Sequence, residues 1–164
     1  MPVTINGSGQ IIVQVQSVTK LNDFSTTSLS FVDVTGLSVN ITPTSASNRI
    51  LVFANISINN INANTRFAFN LVRNSTNISI ADSAGSRLRV TSGDESGGTT
   101  RGYLGTTGAI FLDSPSTTSA TTYKIQTAAI DGGTTIVNRT MADTDQSTYF
   151  RATSSITVME ISGT

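Results

Sequence analysis

Residues 49–58 leave this chain few choices of fold. Ile50, Val52, Ala54, Ile56 and Ile58 recur at every second position, so in an extended backbone they share one face. Leu51, Phe53, Asn55 and Ser57 share the other, which is apolar at first and polar by its end. Helix formation would cost the β-branched residues rotamer freedom and would scatter the apolar set. The stretch therefore reads as a long β-strand with one face wholly buried and a second face whose surroundings change halfway along.

The rest of the composition agrees with a protein made of such strands. At 164 residues the length suits a single domain with a real hydrophobic core. Ten basic and ten acidic residues cancel, which leaves no electrostatic footprint for nucleic acid or an anionic membrane surface. Charged residues make up only 12% of the chain, and Ser, Thr and Asn take their place. Ile- and Val-rich alternating runs argue against disorder, and point to strands with Thr- and Ser-lined solvent faces. The chain has no Cys and no His. Disulfides, thiolate metal sites and thiol redox chemistry are thereby excluded, along with the commonest general base. No run approaches the roughly 18 apolar residues of a membrane helix. Met1 is followed by Pro, Val, Thr and Ile, without a basic and then apolar leader, so the expectation is a chain made in a cytoplasm.

In order along the chain, residues 1–9 are short, polar and glycine-containing, and read as a loose terminus, an attachment arm or a first edge strand. Residues 10–18 alternate as a half-buried strand, with Ile11, Val13 and Val15 opposed to Ile12, Gln14 and Gln16. Residues 22–30 form a polar link. Residues 31–34 and 37–41 are strand pieces on either side of a bulge or turn at Gly36, and Pro43 marks the loop before the organising strand. The Asn-rich turn at 59–64 and a strand at 65–73, with Phe67, Phe69 and Leu71 inward, suggest an antiparallel hairpin. A short strand follows at 77–81. Residues 82–108 break the rhythm with seven glycines, Arg87, Arg89, Arg101 and the pair Asp94-Glu95. A connection of this length is functional or mobile. Strands resume at 109–113 and 121–130, Asp131-Gly132-Gly133 suggests a hairpin into 134–138, and 154–162 closes the chain. About nine or ten short strands without a helix mean an all-β antiparallel β-sandwich, with a jelly-roll type favoured because the first and last strands can pair at a sheet edge. Leu51, Phe53, Ile12, Ile130, Met159 and Ile161 give several strands a second apolar face, which needs cover and favours an oligomer.

Particular segments resemble a known family. Phe31-Val32-Asp33-Val34-Thr35-Gly36-Leu37-Ser38-Val39-Asn40-Ile41-Thr42-Pro43 and Asn48-Arg49-Ile50-Leu51-Val52 are similar to a module of structural proteins in tailed, marine and cyanobacterial phages. So are Ala81-Asp82-Ser83-Ala84-Gly85-Ser86-Arg87, Phe111-Leu112-Asp113-Ser114-Pro115, the run from Ser119 to Ile125, and the closing Ser155-Ile156-Thr157-Val158-Met159-Glu160-Ile161. Thr4-Ile5-Asn6-Gly7-Ser8-Gly9 is similar to the start of phage fibre-like chains. The resemblance implies a jelly-roll sandwich over residues 10–164, assembled as a homotrimer similar in outline to C1q-like heads, with no catalytic residues and no cofactor. It implies a virion location, with residues 1–9 as an arm that docks on other virion proteins. Since so little precedes the sandwich, a capsid decoration protein, a collar appendage or a small tip is favoured over a free-standing fibre. The alternative is a receptor-binding module for a host surface glycan or protein.

The site residues follow from these readings. Arg87, Arg89, Arg101, Tyr103, Tyr149 and Arg151 carry the forked and rigid hydrogen-bonding groups suited to recognition, and equally to intersubunit contacts. Leu51 and Phe53 are the subunit-seam residues. Asp113, ahead of Ser114-Pro115, reads as a cap on its own turn rather than a cation ligand. Asp143 and Asp145, with Asp131, have alternate spacing but lack the glycine and distal glutamate of a calcium loop. Asp94-Glu95 reads as a solvated loop tip. Without His, no triad is available to activate the many serines, and the expectation is a protein that is not an enzyme and holds no metal.

Overall fold

A computed structural model describes residues 9, 11–62, 65–95 and 104–163. Eleven strands are found among them: β1 (Ile12–Lys20), β2 (Phe24–Thr26), β3 (Val32–Ile41), β4 (Arg49–Asn60), β5 (Arg66–Arg73), β6 (Thr76–Ile78), β7 (Ser92–Glu95), β8 (Gly105–Asp113), β9 (Thr121–Ala129), β10 (Thr135–Val137) and β11 (Ser154–Ile161). All pairings are antiparallel, in two sheets. Sheet A runs β1-β11-β4-β10-β2, with β8 on the far edge of β4. Sheet B runs β3-β9-β5-β6, with β7 also on β5. The principal pairs are nested in sequence: β1 with β11, β3 with β9, β4 with β8, and β5 with β6 and β7. A long hairpin rolled up on itself in this way is a jelly-roll sandwich.

The organising strand is β4, which supplies Ile50, Val52, Ala54, Ile56 and Ile58 to the core. Ile156 and Val158 of β11 join them from one side. From the facing sheet come Leu37, Val39 and Ile41 of β3, Phe67, Phe69 and Leu71 of β5, and Tyr123 and Ile125 of β9. Gly36, at φ 87°, sits in the register shift between Asp33 and Ser38 that bends β3, as its glycine suggested.

Neither expected hairpin exists. β4 and β5 lie in different sheets, as do β9 and β10, so the chain crosses from one layer to the other between each pair instead of forming a hairpin. The reason is edge occupancy. β4 pairs with β8 on one edge and with β11 and then β10 on the other, leaving β5 no edge to join. The two crossovers instead bond to each other through Asn60, whose amide donates to Gly132 O (3.3 Å) and whose Oδ1 accepts from Thr134 N (3.2 Å). The polar link at 22–30 contains β2, paired with β10. The irregular stretch at 82–108 contains β7 and the first half of β8, so Asp94-Glu95 lies on a strand rather than at a loop tip. Of the expected arm, only Gly9 is among the described residues.

β1 holds a further departure. Its alternation suggested half-burial, yet Ile12 and Val15 are 58% and 48% exposed while Lys20 is buried. Register explains this. Gln14, Gln16, Val18 and Lys20 pair with the inward-facing residues of β11, namely Glu160, Val158, Ile156 and Ser154. A bulge between Ile12 and Gln14 then places Ile12 opposite Ile161 on the outer surface. The more apolar face of β1 therefore points away from the core.

Candidate functional site: the outer face of sheet A

Four neighbouring strands build the outer surface of sheet A, and their registers align its side chains into rows. One row is Val15, Met159, Leu51 and Leu112, on β1, β11, β4 and β8. The next is Ser17, Thr157, Phe53 and Ile110, and beyond the first lie Ile12, Ile161 and Arg49. Ile110 is 72% exposed, and Leu112 and Phe53 are exposed as well. Period-two alternation is the cause, because the strands that send Ile50, Val52, Val158 and Phe111 inward must send their neighbours outward. Most of those neighbours are apolar. Along this surface the only charged side chain in the rows is Arg49, at one end. Phe53, Asn55, Gly108, Ile110, Ser155 and Thr157 line a shallow recess in it of about 420 Å³.

The outside of sheet B has different chemistry. Asp33 accepts hydrogen bonds from Lys124 Nζ (2.8 Å) and Gln126 Nε2 (2.7 Å), and the Thr122 hydroxyl donates to Asn40 Oδ1 (2.6 Å). The Lys124 hydrogen bond is the largest of the influences that hold the Asp33 carboxyl below its usual range. Ala68, Asn70 and Val72 of β5 also face outward here but are buried, and Leu88 and Val90 meet Ala68 in a recess. One sheet thus pairs Asp33, Lys124, Gln126, Asn40 and Thr122 across its exterior, with buried Asn70 Oδ1 left without a partner among the described residues, and the other has an apolar exterior open to solvent in the single chain.

Buried polar groups brace the ends of the sandwich. Glu160 is fully buried on the core side of β11. Its carboxylate accepts from Gln14 Nε2 (2.6 Å), Asn48 Nδ2 (2.6 Å), Thr44 N (2.7 Å) and the Thr44 hydroxyl (2.9 Å). Burial alone would raise its pKa, but these donors together outweigh burial and hold it down to about 2. The 42–48 loop is thereby tied to both β1 and β11. Asp113 does not cap its own turn. It is buried, and it accepts from Tyr123 Oη (2.6 Å) and Arg73 (2.8 Å), so it joins β8 of sheet A to β9 and β5 of sheet B. Burial first, and then the bond to Asp113, push the Tyr123 phenol far above its usual pKa. Neither carboxylate stood out among the recognition residues, although Glu160 is in phase with Ile156 and Val158, and Asp113 with Ala109 and Phe111. A charge in step with core positions was the available signal.

The six recognition residues do not form one cluster. Arg87 and Arg89 lie on the exposed segment beside sheet B, where Arg89 Nε donates to Ala81 O (2.6 Å). Tyr149 and Arg151 lie on the 140–151 loop next to β11, with Arg151 paired to Asp23 (3.2 Å) and Asp143 (2.5 Å). Arg101 and Tyr103 lie outside the described residues. Of the acidic residues weighed for calcium, Asp143 is held by Arg151 and Asp131 by Arg66. Among the described residues no group of three or more Asp, Glu, His or Cys side chains could hold a metal ion.

No protein-family model matches this chain, and no curated protein does. Among solved structures, it is similar to the VP2 chain in the crystal structure of the infectious bursal disease virus VP2 subviral particle. The TM-score is 0.38 at 13% identity, over 90% of this chain. The chain spans 39% of the length of that VP2 chain.

Proposed function

We propose that the protein is a structural component of a virus particle and assembles as a homotrimer through the outer face of sheet A. The observation that carries the reading is the continuous apolar surface across β1, β11, β4 and β8. An exposed apolar surface on adjacent strands marks an interaction site. Its near absence of charge suits a second copy of the same chain, because obligate homo-oligomer interfaces resemble a domain core cut in half. Leu51 and Phe53 sit in the middle of the surface, where a three-fold seam closes around them. The resemblance of the 31–43, 48–52, 111–125 and 155–161 segments to phage virion modules supports the particle as the setting. Its place in the particle, on this reading, is the decoration of a capsid or a small appendage, with residues 1–9 as the contact with other virion proteins. The location is the virion, after synthesis in a host cytoplasm.

The test is the mass of the protein in solution. Light scattering after size-exclusion chromatography should give three copies for the wild type. Leu51→Ser and Phe53→Ser should give folded monomers, whereas Ile56→Ser, in the core, should lose the fold itself. A monomeric wild type would end the trimer reading, and so would Leu51→Ser and Phe53→Ser variants that stay trimeric. Mass spectrometry and imaging of purified particles then test the setting, and a chain missing from them removes the virion assignment.

A further inference from the structure

We propose that the 140–151 loop is a binding site for a neutral sugar, such as the terminal pyranose of a surface glycan. The loop is closed before any ligand arrives. Arg139 and Arg151 form an isolated antiparallel bridge at its neck, and Thr140 N donates to Phe150 O (3.2 Å). Inside, Gln146 N donates to Thr144 O (2.9 Å) and Tyr149 N to Gln146 O (3.0 Å), which makes a compact surface loop with adjoining ends. Asp23, from outside the loop, reaches both Arg139 (3.2 Å) and Arg151 (3.2 Å). The cavity that results has a volume of about 310 Å³. That lies at the lower end of the range of about 300 to 1,000 Å³ found for small-molecule sites, and suits a single ring.

The lining decides the ligand class. Asp145, Gln146 and Tyr149 face the cavity, and their side chains make no described hydrogen bond or ion pair. A carboxylate, an amide and a phenol together offer acceptors and donors at close spacing, which vicinal sugar hydroxyls match because each both donates and accepts. Phe150 is 56% exposed at the same cavity and supplies a ring for the apolar face of a pyranose. Charge rules out the acidic sugars. Arg151 is already paired with two carboxylates, so Asp145 is the one unpaired charge in the lining and repels an anion. The site lies apart from the residues of the seam, and it does not depend on trimer formation.

Saturation-transfer NMR and calorimetric titration of the full chain test the proposal. The probes are methyl glycosides of neutral hexoses and N-acetylhexosamines, with N-acetylneuraminic acid as the anionic comparator. At least one neutral glycoside should bind, and the anionic sugar should not. Asp145→Ala and Gln146→Ala should each weaken that binding by about tenfold at unchanged melting temperature. Phe150→Ala, an independent exposed position, should weaken it too, and Leu51→Ser should leave it unchanged. Silence from every neutral glycoside would overturn the proposal. So would preference for the anionic sugar, or a neutral sugar whose binding survives Asp145→Ala and Gln146→Ala.

Discussion

Glu160 shows how one residue can hold a corner of the sandwich. Its folded pKa of about 2 lies below the ordinary 4.5, so the folded state favours the ionised form more than the unfolded chain does. Stability from this source is complete above pH 4.5 and is lost as pH falls toward 2. A shift of this size corresponds to about 3 kcal/mol. Urea titrations between pH 7 and pH 2.5 should therefore show stability falling mainly below pH 4.5, and Glu160→Gln should flatten that dependence. At neutral pH the same substitution should cost about 2 to 4 kcal/mol, because its amide meets the Gln14 amide donor to donor. A variant with wild-type stability and an unchanged acid limb would remove Glu160 from the account. Tyr123→Phe is milder, since Arg73 still satisfies Asp113. It should lower stability by about 1 to 2 kcal/mol in the same titrations. Phase with core residues was the sequence signal for both carboxylates, but Asp113 reads at first as a turn cap and Glu160 does not stand out. Their partners gave no signal, because Thr44, Asn48 and Arg73 come from other segments.

Among the elements, strands proved more legible than their pairing. The alternation of 49–58, 121–129 and 154–161 carries the correct faces for β4, β9 and β11, since burial of one face imposes period two wherever a strand sits. Turn chemistry does not say whether the next strand joins the same sheet. Asn-rich and Asp-Gly-Gly segments make tight reversals of either kind, and edge occupancy decides between hairpin and crossover. β8 was half hidden for another reason, because Gly105, Thr106, Thr107 and Gly108 have no apolar alternation to betray a strand. The crossovers offer a test at this scale. Gly133 has φ 73°, and a Cβ there would lie 2.7 Å from both Asn60 Oδ1 and Asn62 Oδ1. Gly132 has φ 90°, with open space around it. Gly133→Ala thus combines backbone strain with a clash and should cost about 2 to 3 kcal/mol, against about 1 kcal/mol for Gly132→Ala. Thermal melts of the two variants check the order. Equal losses would mean that the Asn60 clasp between the crossovers gives way freely.

For the whole molecule, the informative asymmetry is between its two exteriors. Sheet B joins Asp33 to Lys124 and Gln126 across its outer face, while sheet A leaves Val15, Leu51, Phe53, Ile110 and Leu112 on a surface with almost no charge. The sequence showed Leu51 and Phe53 as a second apolar face. It did not show that β1 would turn its own apolar side to the same surface, because a bulge and the register with β11 decide that. An association driven by this surface should respond to salt and to charge in opposite ways. Surface ion pairs weaken as salt rises, but apolar burial does not. A trimer held together by this surface should therefore persist in sedimentation equilibrium from about 0.05 to about 0.5 M salt. Ile110→Asp should do what salt cannot. In the single chain that side chain is 72% exposed, so the carboxylate stays hydrated and the fold tolerates it. In a closed seam the carboxylate loses its water without gaining a partner, a cost of about 3 to 5 kcal/mol. The dissociation constant should rise by about a hundred- to a few thousandfold, leaving a folded monomer whose melting temperature no longer depends on protein concentration. An Ile110→Asp protein that remains a trimer would move the seam off sheet A, and salt-induced dissociation of the wild type would replace an apolar seam with one made of ion pairs.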